Sequence, residues 1–505
     1  MKRLPAILVT PAILLCLAAA ARAEVKLPAI FGDHMVLQRE ASVPVWGTAA
    51  PGEEVTVTIA GQTATTKAGA DGKWSVKFAM LAGPGPHTLT VKAGNTLTFS
   101  DVLVGEVWLG SGQSNMAMTV SGVKDSEQEL AAAKLPQIRM FTEGSAASTT
   151  AQTEGKGQWV VCAPDTVGRF SATAFFFGRE IHKALNVPVG LINSSVGGTP
   201  IESWIAPEAQ LASPELKRFF EQTRQQEGKI DAVKARAKFE QDHAKWKEAA
   251  KKARADGKPV PRAPRDPVAQ AERKGNIGGL FNGKISPLIP YAIRGAIWYQ
   301  GEANSSAEKA PFYHAQLSLL VSDWRARWGH DFPFAWVQLP NFGGPGRDWP
   351  LVREGMLKTL KLKNTGMAIT IDIGEEKNIH PKNKQEVGRR LGAWALGTVY
   401  GRKVVTSGPL PAGHQVRGNE VVLSFTHADG GLVARDGELK GFVIAGEDKQ
   451  WKRAQARIEG DKVIVSNAEL KQPVAVRYAW ENFPTCNLFN GAGLPASPFR
   501  TDEGK

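Results

Sequence analysis

The sequence is poor in cysteine, and it has neither clustered histidines nor a nucleotide-binding motif. Only three of its 505 residues are cysteines, and Cys162 and Cys486 lie too far apart to suggest a disulfide-stabilised framework. Whether these two thiols pair stays open at this level. Neither has Cys or His neighbours at metal-ligand spacing, and the nine histidines are scattered. We therefore expect no metal ion and no cofactor.

Long apolar runs are also missing, except at the start of the chain. Two basic residues precede that run, and Ala21-Arg22-Ala23 ends it with the small-x-small form that signal peptidase needs. We predict a signal peptide over residues 1–23, which removes Cys16, and an exported mature protein, periplasmic or extracellular. No later run stays apolar for about 20 residues, so we expect no membrane-spanning segment after cleavage.

The formal net charge of +13 raises the question of an anionic partner such as nucleic acid. Residues 214–274 carry 17 Lys and Arg against 10 Asp and Glu, so this one segment supplies an excess of seven positive charges. Opposite charges lie within helical reach of each other, and a Pro-rich stretch follows. This pattern favours a solvated helical insertion at about 207–275, and we expect no nucleic-acid partner.

Strand patterns divide the mature chain into three parts. Residues 24–101 read as short Thr- and Val-rich strands separated by turns, which predicts an N-terminal β-sandwich module. Over 102–399, nearly uniformly apolar strands alternate with helical patterns, which is typical of a parallel sheet covered by helices on both faces. Alternation of apolar and polar residues returns over 400–505 and predicts a C-terminal β-rich module. The predicted fold class is α/β with flanking β modules.

Polar turns follow the apolar strands of the predicted sheet, where open α/β folds place their working groups. In "GSGQSNM", Ser114 stands on a Gly-flanked turn between Gln113 and Asn115. In "INSSVGGTPIESW", Gly197 and Gly198 follow a strand and leave backbone N–H groups open to an oxygen atom. Each such feature alone is usually a turn or a helix cap. It indicates a functional site only because several of them follow strands of the same predicted sheet.

Two further stretches add titratable and amide groups. "WYQGEAN" places Gln300, Glu302 and Asn304 after a strand, and His380 directly precedes a proline and a predicted helix. The four stretches together offer a nucleophile, donors for an oxyanion, a base and several acids. That set is what acyl transfer requires.

These motifs, with "DIGEEKNIHPKNKQEVGRRL", resemble the sialate O-acetylesterase family of SGNH hydrolases and related esterases that deacetylate plant polysaccharides. The resemblance implies an SGNH-type, flavodoxin-like sheet and a serine esterase that removes O-acetyl groups from carbohydrate through an acetyl-enzyme. The carrier, sialic acid or a polysaccharide such as xylan, stays open, as does a catalytically inactive carbohydrate-binding protein. Trp204 and Trp298 either shape a sugar cleft or pack in the core. Oligomeric state is not indicated.

Carried over residue by residue, the resemblance implies Ser114 as the nucleophile and His380 as the general base. The backbone N–H of Ser114 would be one oxyanion donor. Further oxyanion or substrate-binding groups that it implies are Gly197 or Gly198, a side-chain amide of Gln300 or Asn304, and the neighbouring Gln113 and Asn115.

The acid that would orient the histidine is where the sequence departs from the family. SGNH enzymes often carry Asp three residues before the histidine, but here Lys377 stands there and Asn378 follows. The candidates are Glu302, in the Gln-Gly-Glu box, and Asp372, at the end of the preceding strand, with Glu302 favoured. A Ser-His dyad is the remaining alternative.

Overall fold

The computed structural model describes residues 24–227, 232–261, 263, 264, 266, 277–344 and 347–502. The predicted signal peptide and part of the predicted insertion lie outside the described residues. Within these ranges no helix has the length and apolar character that crossing a bilayer requires.

The N-terminal part consists of short strands in which buried and exposed side chains alternate. The strands are β1 Val36–Gln38, β2 Val43–Thr48, β3 Glu54–Ile59, β4 Gln62–Lys67, β5 Lys73–Phe78, β6 His87–Lys92 and β7 Thr96–Gly112. β2 pairs with β5, while β3 pairs with β4 and β6, all antiparallel. The burial alternation of β3 and β5 follows the period-two pattern of their sequences.

Strand β7 joins this part to the rest of the molecule. Its first half pairs with β6 and alternates in burial, whereas its last eleven residues are all buried. The change falls at Asp101, which has a φ of +50°. The predicted module boundary between residues 101 and 102 therefore lies inside one strand. Buried side chains from both sides of this boundary, from Val25 to Leu396, belong to one hydrophobic cluster. The module limits themselves stay a prediction.

The central sheet confirms the predicted α/β class. Its other strands are β8 Ile138–Thr142, β9 Trp159–Val161, β10 Val189–Ser195, β11 Gly295–Tyr299, β12 Phe334–Val337 and β13 Thr365–Ala368. They lie in the order β13-β12-β11-β7-β10-β8-β9, and all neighbours are parallel except β8 and β9. The chain builds outward from β7 first on one side and then on the other, so β7 lies at the point where the strand order reverses.

The helices lie mostly between these strands. They are α1 Ser114–Ala117, α2 Ser126–Ala132, α3 Ala172–Leu185, α4 Pro207–Ala212, α5 Pro214–Glu227, α6 Ala232–Ala255, α7 Tyr313–Trp328, α8 Trp349–Thr359 and α9 Lys384–Thr398. α3 and α9 pack on each other, and they also contact strands of the sheet. Each is capped at its N-terminus by a side-chain oxygen, from Ser171 and Asn383 respectively. Helices α4 to α6 lie within the predicted insertion.

The C-terminal part is built from short antiparallel strands. They are β14 Leu410–Arg417, β15 Glu420–Thr426, β16 Leu432–Ala434, β17 Phe442–Ala445, β18 Lys452–Arg453, β19 Gln455–Glu459, β20 Lys462–Ser466, β21 Ala475–Tyr478, β22 Leu488–Asn490 and β23 Phe499–Arg500. They form two four-stranded sheets and one pair around a second core that includes Val421, Val463 and Tyr478.

Two questions that the sequence left open are answered in the interior. Cys162 and Cys486 are both free thiols, and burial raises their pKa values to about 12 and about 11, so both are protonated at neutral pH. Trp204 and Trp298 are fully buried and pack edge to face, with ring centroids 6.0 Å apart. These two indoles belong to the core and do not line a cleft.

Candidate active site

The polar turns predicted from sequence meet at one edge of the central sheet. In the parallel register, Gly112 at the end of β7 lies opposite Ser195 of β10 and Tyr299 of β11. The chain leaves all three strands at the same level. The turns that follow therefore converge beyond their carboxyl ends, although they lie far apart in sequence.

Ser114 is fixed by the end of its strand. Gly112 has a φ of +139°, and a Cβ there would lie 2.2 Å from the Tyr299 carbonyl oxygen, so this position requires glycine. The next residue, Gln113, donates its backbone N–H to the same carbonyl at 3.0 Å. Helix α1 then starts at Ser114, whose side chain is half-buried. The hydroxyl thus stands on a short, pinned turn.

His380 meets this hydroxyl directly: its Nε2 lies 2.8 Å from Ser114 Oγ. Asn378 holds the His380 backbone from both sides, accepting from its N–H at 3.0 Å and donating to its carbonyl at 2.9 Å. Burial, and secondly the charge of Lys384, lower the pKa of His380 below 6.5. The imidazole is therefore neutral at pH 7, and its Nε2 can accept the Ser114 proton.

Neither predicted acid reaches this imidazole. Asp372 binds Arg390 through both carboxylate oxygens, at 2.6 and 2.8 Å. Glu302 accepts from the Asn115 side chain at 2.5 Å through Oε1, and its Oε2 is buried with no partner in the described part of the chain. Within that part no carboxylate bonds the His380 ring. Among the described residues Glu302 is thus linked to this pair only through Asn115, and its role as the acid, like the alternative of a Ser-His dyad, stays a prediction.

Asn115 links the turn that carries Ser114 to the histidine loop. It is fully buried, and its Nδ2 donates to Glu302 Oε1 and, at 3.0 Å, to the Ile379 carbonyl. Its Oδ1 accepts from Lys384 Nζ at 2.7 Å. Both polar atoms of its side chain are thus engaged by protein groups, and its predicted substrate-binding role stays a prediction.

The side-chain amides of Gln300 and Asn304 are also fully engaged. Gln300 Nε2 donates to the Thr199 carbonyl at 3.1 Å and to Asn304 Oδ1 at 2.7 Å. Asn304 Nδ2 donates to Glu202 at 2.7 Å, and its Oδ1 accepts from the Ile201 N–H. Both residues are fully buried. In this structure they hold the turns together, and their predicted role as oxyanion donors stays a prediction.

The glycine turn remains as the partner of the nucleophile. A Cβ on Gly197 would lie 3.4 Å from Ser114 Cβ, and Gly198 has a φ of +74°. Both glycines are exposed, and no acceptor in the described ranges takes their N–H groups or that of Ser114. Gln113 is held by one side-chain bond, since its Oε1 accepts from the Ala303 N–H at 3.3 Å. The available oxyanion donors are therefore backbone N–H groups.

Sequence reasoning missed one residue of this site, Lys384. It lies at the start of the predicted helix that follows His380, where a lysine is normally solvated, but it is fully buried. Its spacing from His380, four residues along the chain, was the only available signal. In the described ranges no group of three or more His, Cys, Asp or Glu is placed to hold a metal ion. The arrangement supplies a hydroxyl, a neutral base in contact with it, and backbone N–H groups beside the hydroxyl.

Comparison with known proteins gives a consistent picture. A family model described as a carbohydrate esterase, sialic acid-specific acetylesterase, matches residues 104–249 and 283–396. The sialate O-acetylesterase of Mus musculus is 29% identical to this chain, over 92% of this chain and 92% of its own length. That of Homo sapiens is 28% identical, over 94% of this chain and 92% of its own length. A carbohydrate acetylesterase from Xanthomonas citri, known from its crystal structure, is 35% identical with a TM-score of 0.81, over 95% of this chain and all of that one.

Proposed function

We propose that this chain, which belongs to the sialic acid-specific acetylesterase family of carbohydrate esterases, is an exported serine esterase that works through an acetyl-enzyme. Membership of the family confirms the resemblance seen in the sequence motifs and places the chain among carbohydrate O-acetylesterases. The observation that carries the mechanism is the 2.8 Å contact between Ser114 Oγ and His380 Nε2. A hydroxyl in contact with a neutral base is the arrangement that nucleophilic acyl transfer needs.

In the first half-reaction, Ser114 Oγ attacks the acetyl carbonyl carbon while its proton passes to His380 Nε2. The carbonyl oxygen becomes an oxyanion, which the N–H groups of Ser114 and the Gly197–Gly198 turn are placed to receive. The intermediate then collapses, the C–O bond to the sugar breaks, and the imidazolium returns its proton to the sugar oxygen. The products are the deacetylated sugar and acetyl-Ser114.

In the second half-reaction, a water molecule takes the place of the sugar. His380 Nε2 accepts a proton from the water as its oxygen attacks the acetyl carbon. The second tetrahedral intermediate then collapses and releases acetate, while His380 Nε2 returns its proton to Ser114 Oγ. No carboxylate among the described residues hydrogen-bonds the His380 ring, so the proposed mechanism uses the Ser114–His380 pair without a third triad member.

The acyl carrier is proposed as an O-acetylated carbohydrate, with sialic acid as the first candidate. The family description and the names of the mouse and human relatives support sialic acid. The relative from Xanthomonas citri is described only as a carbohydrate acetylesterase, which keeps acetylated polysaccharide as the alternative carrier. The proposed location, periplasm or exterior, rests on the Ala21-Arg22-Ala23 site alone.

The experiment is acetate release by the purified protein, expressed with its own leader. The substrates are O-acetylated sialic acid, acetylated xylan and 4-nitrophenyl acetate, and Ser114→Ala is run beside the wild type. Ser121→Ala is the matched control, because Ser121 is an exposed serine seven residues after Ser114, in the short helix Val120–Gly122. Release that Ser114→Ala abolishes and Ser121→Ala retains supports the serine mechanism, and the ratio between the two sugars assigns the carrier.

Two results would overturn the proposal. The first is no acetate from any substrate together with no covalent adduct after treatment with a fluorophosphonate, which would indicate a binding protein. The second is full activity in Ser114→Ala. The mass of the mature protein tests export separately, since a chain that begins at Glu24 requires cleavage after Ala23.

A further inference from the structure

A fully buried lysine lies directly behind the proposed catalytic pair. Lys384 is the first residue of α9 and has no exposed surface. Its Nζ donates to Asn115 Oδ1 and to the Pro381 carbonyl, both at 2.7 Å. Lysine is almost never fully buried without a partner, because desolvating an ammonium costs several kcal/mol. A lysine that is buried despite this desolvation cost is expected to have a function.

The partners of Lys384 are the immediate neighbours of the two reacting residues. Asn115 follows Ser114 in the chain, and Pro381 follows His380. Asn115 also donates to the carbonyl of the residue before the histidine, Ile379, at 3.0 Å. The backbone is thus held on both sides of His380 by Asn115, directly on one side and through Lys384 on the other.

Glu302 supplies the opposite charge in this arrangement. Its Oε1 accepts from Asn115 Nδ2 at 2.5 Å, so the Asn115 amide lies between the carboxylate and the lysine. Burial raises the pKa of Glu302 and lowers the pKa of Lys384 to about 7. Glu375 also faces Lys384 electrostatically, and Arg347 faces Glu302. The ring of Tyr299 lies 5.2 Å from Lys384 Nζ.

We propose that Lys384 is a positioning residue of this esterase: with Glu302 as its counter-charge, it holds His380 against Ser114 through Asn115. The inference rests on the proposed function. It gives Glu302 a role that needs no contact with the imidazole. In its protonated form Lys384 also disfavours a second positive charge on the His380 ring, in addition to the effect of burial.

The first test variant is Lys384→Met, which keeps the length of the side chain and removes its charge and its donors. We expect kcat for 4-nitrophenyl acetate to fall about 100-fold while KM changes less than about threefold, because a base displaced by about 1 Å costs that much. Lys377→Met is the matched control: it removes a lysine from the same loop, exposed and without a side-chain hydrogen bond in the described structure. Its kcat should stay within about twofold of the wild type.

The second readout is the pH dependence of His380, which responds to the charge of Lys384. Without the charge of Lys384 the pKa of His380 should rise, so the acid limb of the kcat/KM profile should move to higher pH. NMR titration of the His380 ring, assigned with His380→Gln, should show the same rise. The titration does not depend on catalysis, so it tests the inference even if the esterase activity is absent.

Glu302→Gln keeps the shape and one acceptor oxygen, and it serves if Lys384→Met does not fold. We expect it to lower kcat as well, and the double variant to lose less than the product of the two single losses, because the two residues act as one unit. A folded Lys384→Met with wild-type kcat and an unmoved His380 titration would overturn the inference. Multiplicative losses in the double variant would also overturn it. Either result would leave the Ser114 test of the proposed function untouched.

Discussion

Ser114 Oγ and His380 Nε2 lie 2.8 Å apart, although 266 positions separate the two residues in the chain. Parallel register brings them together: the turn that carries Ser114 leaves the central strand of the sheet, and the histidine loop packs over it through Asn115. The contact has the geometry of a nucleophile and its base in the absence of substrate.

Replacing either member of the pair should abolish ester hydrolysis. We expect Ser114→Ala and His380→Ala each to lower kcat/KM for 4-nitrophenyl acetate at least about 10³-fold, because one loses the nucleophile and the other its base. Both side chains are half-buried, so the circular dichroism spectrum should not change. Comparable activity in His380→Ala would show that another group accepts the serine proton.

The pH profile should reflect the environment of His380. Burial and the charge of Lys384 lower its pKa below 6.5, and only the neutral imidazole can act as a base. Activity should therefore be retained as the pH falls to 6.5 and be lost at lower pH, as the ring takes up a proton. The measurement is kcat/KM between pH 4 and 9. An acid limb centred above 6.5 would contradict this assignment.

Asp372→Asn should affect stability and leave the chemistry unchanged. The carboxylate binds the guanidinium of Arg390 in bidentate fashion in a largely buried pair, so its loss should destabilise the fold by about 2 kcal/mol, with Glu386 still pairing the arginine. Thermal unfolding measures the loss. The pH profile of the folded variant should match the wild type, whereas a shifted acid limb would restore Asp372 as the triad acid.

Asn304→Ala separates a structural role from an oxyanion role. The change leaves the Ile201 N–H and the Gln300 amide without their buried acceptor, which should cost about 3 kcal/mol of stability. At a temperature where the variant is folded, we expect kcat within about fivefold of the wild type. A fall of 100-fold or more without loss of stability would show that Asn304 touches the oxyanion.

Much of the site could be predicted because it depends on local pattern. A buried apolar strand that ends in a Gly-flanked polar turn is visible in the sequence, and parallel strands place such turns at one edge. Ser114, the glycine pair and His380 are all found there. The α/β class follows from the same pattern, since strands that alternate with helical segments favour a parallel sheet.

The partners of the polar side chains could not be predicted in this way. Glu302, Gln300 and Asn304 share one turn, yet one bonds the residue after the nucleophile and the others bond the glycine turn and its surroundings. Sequence pattern marks all three as polar and near the site. Sequence pattern does not distinguish a side chain that is free to bind substrate from one whose polar atoms all bond other protein groups.

The sequence by itself determined the fold class, the strand ends and the two residues that meet there, because hydrophobic period and turn chemistry act over a few neighbouring residues. Only the tertiary structure decided that Glu302 binds Asn115, that Asp372 binds Arg390 and that Lys384 is buried beside Asn115. Those features depend on atoms brought within 3 Å across more than 180 positions of chain, where small differences in geometry decide which hydrogen bond forms.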